Sequence, residues 1–191
     1  MGEYASRGNS LFNALAEAIY MVGLERNADV VHMASYAPLL ANQSHTSWNP
    51  NLIYFNNTTL VPTVNYYAQQ LFSTNQGTRY YSNIIDFPSA KSKPDSNFAA
   101  SCVEDEKTGD IILKIVNAGP IETQASINLK QFKKLNNSAQ LQVLEGEPSM
   151  KNSLQNPQQV LPKTAELTIQ STMTYPVPRY SLTVIRIAKK K

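Results

Sequence analysis

One cysteine, two histidines and one tryptophan stand among 191 residues. The lone thiol, Cys102, excludes a disulfide framework and a thiolate metal cluster, and reads as a small buried hydrophobe. Neither His32 nor His45 has a second histidine or a carboxylate at metal-ligand spacing, so no metal and no other cofactor is expected. No apolar run reaches the roughly 18 residues of a membrane span, and no basic-then-apolar leader follows Met1. Glycine-rich phosphate loops and nucleophile elbows are missing as well. Charge is also scarce, at 16% of residues and a net +3. Its one concentrated source, Lys189-Lys190-Lys191, reads as the solvated end of a last strand and not as a nucleic-acid grip.

The scarcity is sharpest in one place. From Val30 to Thr78 there is no Asp, Glu, Lys or Arg, while Tyr36, Trp48, Tyr54, Phe55, Tyr66, Tyr67 and Phe72 stand among many amides and hydroxyls. Such a segment is either buried inside a large domain or lines a site for an uncharged, polyhydroxylated ligand. Amides match the hydrogen-bonding edges of a sugar, and aromatic faces stack on its C–H faces.

What is present divides into two kinds of pattern. In the first part, Asn9 or Ser10 caps a helix whose apolar positions Leu11, Leu15, Ala18, Ile19 and Val22 repeat every 3.6 residues, with Gly23 as its stop. "ADVVHMASY" then reads as a short buried strand containing Val30, Val31, Met33 and Tyr36, with His32 as a satisfied core histidine. A long loop follows. Pro62 suits the first turn of a second helix faced by Val64, Tyr67, Ala68, Leu71 and Phe72, which ends near Asn75 and Gly77. Successive βα units imply parallel strands. After Gly77 the pattern is antiparallel: a hairpin over "FAASCVEDEKTGDIILKIVNAG" turning at 107–110, then the strands "TQASINL", "AQLQVLEG", "AELTIQ" and "YSLTVIRIA". Nine of the 11 prolines lie from Pro62 onward, where connections and edge strands accept them. Residues 152–162 read as an extended surface connection. The fold class is therefore α/β plus all-β: 1–77 as the end of an α/β domain and 78–191 as a β-sandwich.

Two βα units leave open edges and call for further strands, and a common home for such units is the (β/α)₈ barrel. Its active site lies where strands end and helices begin, and Glu3 has that position. A carboxylate there is either one of the two that flank a scissile glycosidic bond, or a surface charge favoured by the helix macrodipole. His45, in the long loop beside Trp48, is a candidate substrate contact on the same face.

"GEYAS…NALAEAIYMVGLERNADVVHMASYAPLLAN", "NYYAQQLFSTNQG" and the closing "VPRYSLTVIRI" resemble the C-terminal part of family 51 glycoside hydrolases, the α-L-arabinofuranosidases. The resemblance implies the last two βα units of a (β/α)₈ barrel, from the end of strand 7 to helix 8, followed by an antiparallel β-sandwich. It implies retaining hydrolysis of terminal α-L-arabinofuranosides in arabinose-containing polysaccharides or oligosaccharides. Glu3 would be the nucleophile, with Tyr36, His45 and Trp48 lining subsites. It also implies an extracellular or periplasmic setting and a homo-oligomer, with neither nucleic acid nor membrane as partner. The family's acid/base glutamate follows an asparagine on strand 4 and has no counterpart here. Glu17, Glu25 and the later glutamates fall in the helix or the sandwich and cannot replace it. The chain by itself is therefore expected to be an inactive fragment. A reading from another class is a non-catalytic carbohydrate-binding or structural sandwich module.

Overall fold

The short strand β1 (Gly2–Tyr4) leads through a loop into helix α1 (Leu11–Arg26) and back to strand β2 (Ala34–Tyr36), which pairs with β1 in parallel. This computed structural model describes residues 2–87 and 97–190; Pro88, Pro94 and Lys191, used above, lie outside them. Leu11, Ala14, Leu15, Ala18, Met21 and Val22 form the buried stripe of α1. The helix passes Gly23 without stopping and ends at Asn27, whose side-chain amide donates to the Gly23 carbonyl at 2.7 Å. An isolated glycine costs only about 1 kcal/mol in a helix, and packing on the buried stripe outweighs it.

The expected buried strand around Val30 is shorter and less buried than its composition implies. Residues 27–30 are turn, Val30 is 70% and Met33 is 58% exposed, and His32 is exposed, not a core histidine. β-branched character alone cannot bury a segment; it needs an opposing surface, and none of the described residues supplies one here. The long loop contains a small sheet of β3 (Leu40–Asn42), β4 (Ile53–Phe55) and β5 (Leu60–Pro62). Pro62 thus belongs to an edge strand, not to a helical turn. The N-cap of α2 (Val64–Ser73) is Thr63, whose Oγ1 accepts from the Tyr66 N–H and donates to the Leu52 carbonyl at 2.7 Å. Val64, Ala68, Leu71 and Phe72 are buried as their spacing implies.

The rest is antiparallel: β6 (Arg79–Tyr81), β7 (Ile85–Asp86), β8 (Phe98–Asp105), β9 (Asp110–Asn117), β10 (Thr123–Asn128), β11 (Ser138–Glu145), β12 (Lys163–Thr168), β13 (Thr172–Val177) and β14 (Ser181–Ile187). Of the described residues, 39% are strand and 16% helix, so the chain is mostly sheet. One sheet runs β12-β11-β14-β9-β8-β6 and a smaller one β13-β10-β7. The expected hairpin forms between β8 and β9, with Gly109 at φ +77° in its turn. At Gly77, between α2 and β6, an added Cβ would lie 2.5 Å from the Val103 Cβ, so only glycine lets the chain approach β8 this closely. β13, missed in the sequence because Pro176 interrupts it, is an edge strand, where a missing N–H is tolerated.

Ile111, Leu113 and Ile115 share one core with Ala125, Ile127, Tyr175 and Val177 of the smaller sheet. The alternate residues Ile112 and Val116 share a second core with the helical stripes of α1 and α2. The large sheet is therefore covered on both faces, which explains the unbroken apolar run of β9. Residues 152–162 are not a purely superficial connection. Val160 is in the helix-side core, and Asn152 holds the segment down by donating to the Pro62 and Val160 carbonyls, each at 3.1 Å. Nearby, the Pro148 and Met150 carbonyls accept from the first N–H groups of α1 (Phe12 and Leu11), donors that a helix start leaves open.

Candidate functional site

The register of the parallel pair sets the faces of the site. Gly2 lies opposite Ala34, Glu3 opposite Ser35, and Tyr4 opposite Tyr36. Side chains alternate along a strand, so Glu3 and Ser35 share one side and Tyr4 and Tyr36 the other. Glu3 and Ser35 are exposed. Tyr4 and Tyr36 turn toward the helices: their rings are 6.1 Å apart edge to face, and Tyr4 is 4.9 Å from the Tyr20 ring of α1. Burial, reinforced by the Glu17 charge, pushes the Tyr36 hydroxyl above its ordinary range, against the opposing pull of the nearby Asn9 side chain.

Behind this pair lies a buried polar chain. The Tyr4 hydroxyl donates to Gln69 Oε1 at 2.7 Å, and Gln69 Nε2 donates to Glu17 Oε2 at 3.2 Å. Glu17 Oε1 accepts from the Ser6 N–H at 2.9 Å and from Asn65 Nδ2 at 2.7 Å. Asn9 Nδ2 donates to Asn65 Oδ1 at 3.4 Å and to the Asn51 carbonyl at 3.1 Å. Asn51 Nδ2 in turn donates to the Trp48 carbonyl at 2.6 Å. Burial raises the Glu17 carboxyl above its ordinary range, although every hydrogen bond it accepts pulls the other way. Burial likewise pushes the Tyr4 phenol up to about 12.

Trp48 is 63% exposed and lines a cleft of about 740 Å³ with Asn9, Asn49, Tyr54, Lys151 and Ser153. Glu3, Tyr36 and His45 are not among the residues lining it. His45 is exposed at the end of a 3₁₀ turn, Gln43–His45. The structure thus brings Glu3 and Tyr36 onto adjacent strands but on opposite faces, and links Trp48 to the β1 end through the polar chain.

The other carboxylates with contacts are committed elsewhere. Glu25 pairs with Lys114, Glu106 with Arg79, Glu145 with Lys163, Glu147 with Arg179, and Asp105 and Asp110 with Arg186. Glu104 accepts from the Tyr81 hydroxyl and Glu166 from Ser138. Sequence reasoning missed Ser35, Glu17, Asn65 and Gln69. For Glu17 a signal was available: it stands three residues after Ala14 and four before Met21, on the apolar stripe of α1, where an unpaired carboxylate is costly.

Residues 2–181 match the α-L-arabinofuranosidase C-terminal domain family. Among individual proteins, the chain is 56% identical over 79 residues to an extracellular exo-α-L-arabinofuranosidase of Streptomyces chartreusis, covering 41% of this chain and 10% of that protein. Its whole length aligns at 28% identity with α-L-arabinofuranosidase 1 of Arabidopsis thaliana, covering 29% of that protein. The structure of an arabinose-bound family 51 α-L-arabinofuranosidase superposes with a TM-score of 0.85 at 32% identity, over 96% of this chain and 28% of the other. The chain therefore spans between a tenth and three tenths of the length of these relatives.

Proposed function

Because the chain belongs to the α-L-arabinofuranosidase C-terminal domain family, we propose that it supplies the C-terminal portion of a retaining α-L-arabinofuranosidase, with Glu3 as the nucleophile. The observation that carries this is the β1 register: Glu3 is the exposed central residue of a three-residue strand that pairs in parallel with the next and leads through a loop into a helix. In this reading 1–77 are the last two βα units of a (β/α)₈ barrel and 78–191 its β-sandwich companion. Glu3 faces the barrel mouth, the side on which such enzymes carry their chemistry.

In the reaction, the Glu3 carboxylate attacks the anomeric carbon of a terminal arabinofuranosyl group. A second carboxyl, about 5–5.5 Å away, protonates the departing oxygen. Water then cleaves the glycosyl ester while that second group, now a carboxylate, removes its proton. The carboxylates with contacts here are tied up in ion pairs and hydrogen bonds, so we assign the acid/base to the part of the relatives that this chain does not span. Trp48, with its exposed ring beside neutral amides, and His45 are assigned to outlying substrate contacts. Tyr36 is buried on the side away from Glu3 and supports the strand pair from behind. The substrate class is an arabinose-bearing polysaccharide or oligosaccharide. The name of the Streptomyces relative supports an extracellular setting, which fractionation of the source cells would test.

The deciding experiment is release of arabinose from an aryl α-L-arabinofuranoside. We expect no turnover by this 191-residue chain, turnover by the complete enzyme polypeptide that carries it, and loss of that turnover in Glu3→Ala. Normal release by Glu3→Ala would remove Glu3 as nucleophile.

A further inference from the structure

We propose that Glu17 is a positioning residue for the reaction, holding the Glu3 strand end and the Trp48 loop in one fixed relation. The inference rests on the reading of Glu3 as nucleophile. It starts from an anomaly: a carboxylate only 3% exposed on the apolar stripe of a helix, with no cation paired to it among the described residues. A buried charge is weak as a source of stability, since an apolar side chain of similar volume serves packing as well or better. Leu or Met at this position would continue the stripe. Some other requirement must be met by a group that only accepts hydrogen bonds.

The donors identify that requirement. Ser6 N–H belongs to the loop three residues beyond Glu3, and Asn65 and Gln69 project from α2. From Gln69 the chain of contacts returns to Tyr4, the residue next to Glu3. From Asn65 it passes through Asn9 and Asn51 to the Trp48 carbonyl. Among the described residues both arms converge on Glu17, one from each of its oxygens, and Asn65 Nδ2 also reaches the Ser6 hydroxyl at 3.5 Å. A carboxylate suits this junction because all three neighbours donate and none accepts. A glutamine would turn its own NH₂ toward at least one of those donors. The three-centre arrangement therefore fixes the backbone on the far side of Glu3 and ties it to the loop that carries the exposed tryptophan. Positioning of this kind bears on catalysis because a misplacement of about 1 Å costs a reaction roughly 100-fold.

The test uses the complete arabinofuranosidase polypeptide carrying this chain, with Glu17→Gln and Glu17→Met, assayed on an aryl α-L-arabinofuranoside. Rates are taken per active site titrated by the burst of aryl alcohol, alongside the thermal midpoint. The expected result is a fall in kcat of roughly 100-fold in Glu17→Met, a smaller fall in Glu17→Gln, and KM little changed. A purely structural role would lower the midpoint or the number of active sites but leave kcat per site intact, and that outcome would overturn the inference. If both variants fail to fold, Gln69→Met, which cuts only the Tyr4 arm, decides: wild-type kcat there also overturns it. Glu3→Ala run in parallel separates the two ideas. An active Glu3→Ala defeats the nucleophile assignment, whereas an inactive Glu3→Ala beside a fully active Glu17→Gln defeats only the positioning role.

Discussion

Lys114 Nζ lies 2.6 Å from Glu25 Oε1, with the lysine side chain wholly buried beneath the C-terminal end of α1. The second oxygen of Glu25 accepts from Ser101 Oγ at 2.5 Å, and the Lys114 ammonium stands 5.2 Å from the centre of the Phe72 ring. One ion pair thus pins α1 to β8 and β9, with α2 alongside.

Removing one partner alone strands a buried charge. Glu25→Ala, which leaves the wholly buried Lys114 ammonium unpaired, is expected to cost about 3–5 kcal/mol, whereas Lys114→Met combined with Glu25→Gln is expected to be near neutral. Urea unfolding of the single and double variants measures both. Equal losses in the two would show that the pair itself, and not the stranded charge, carries the stability.

Glu17 sets a pH dependence whose direction follows from its raised carboxyl. Below its ordinary value of 4.5 the group is protonated in the folded and unfolded chain alike. Above that, and up to its raised folded value, the folded chain keeps the proton that the unfolded chain has released. Stability from this group is therefore full below about pH 4.5 and is lost as pH rises through the folded value. The groups facing the carboxylate are the Ser6 N–H and hydroxyl, the amides of Asn65 and Gln69, and the Tyr4 and Tyr36 phenols, whose own ionisation burial pushes up and out of that window. Denaturant unfolding from pH 4 to pH 8 is expected to show this downward component in the wild type and not in Glu17→Gln. Parallel curves for the two would contradict it.

Cys102 is expected to be chemically silent. Burial, outweighing the nearby Lys114 charge, pushes its thiol up to about 12. At pH 8 that leaves about 10⁻⁴ of it as thiolate, against roughly a quarter for a free cysteine. Labelling by a thiol reagent is expected only on addition of denaturant. Rapid stoichiometric labelling of the folded chain would show that β8 opens readily.

Features that depend on local chemistry and period can be read from the residues alone. The stripes of α1 and α2, the β8–β9 hairpin and its glycine, the strands at β10, β11 and β14, the buried Cys102, and the kinship carried by "GEYAS" and "GLERNADVV" were all legible in it. Each is written in spacing or residue type along a continuous stretch. Tertiary structure decided what depends on which surfaces meet. Val30, Met33 and His32 carry the composition of a core, yet they stand exposed, because burial belongs to the opposing surface as much as to the side chain. β13 hides behind Pro176, since only its place at a sheet edge makes that proline harmless. Glu17 reads as one more helical glutamate until Ser6, Asn65 and Gln69 are seen to converge on it from separations of 11, 48 and 52 residues. No local pattern encodes such a junction, because its hydrogen bonds exist only once β1, α1 and α2 have packed and water has been excluded between them.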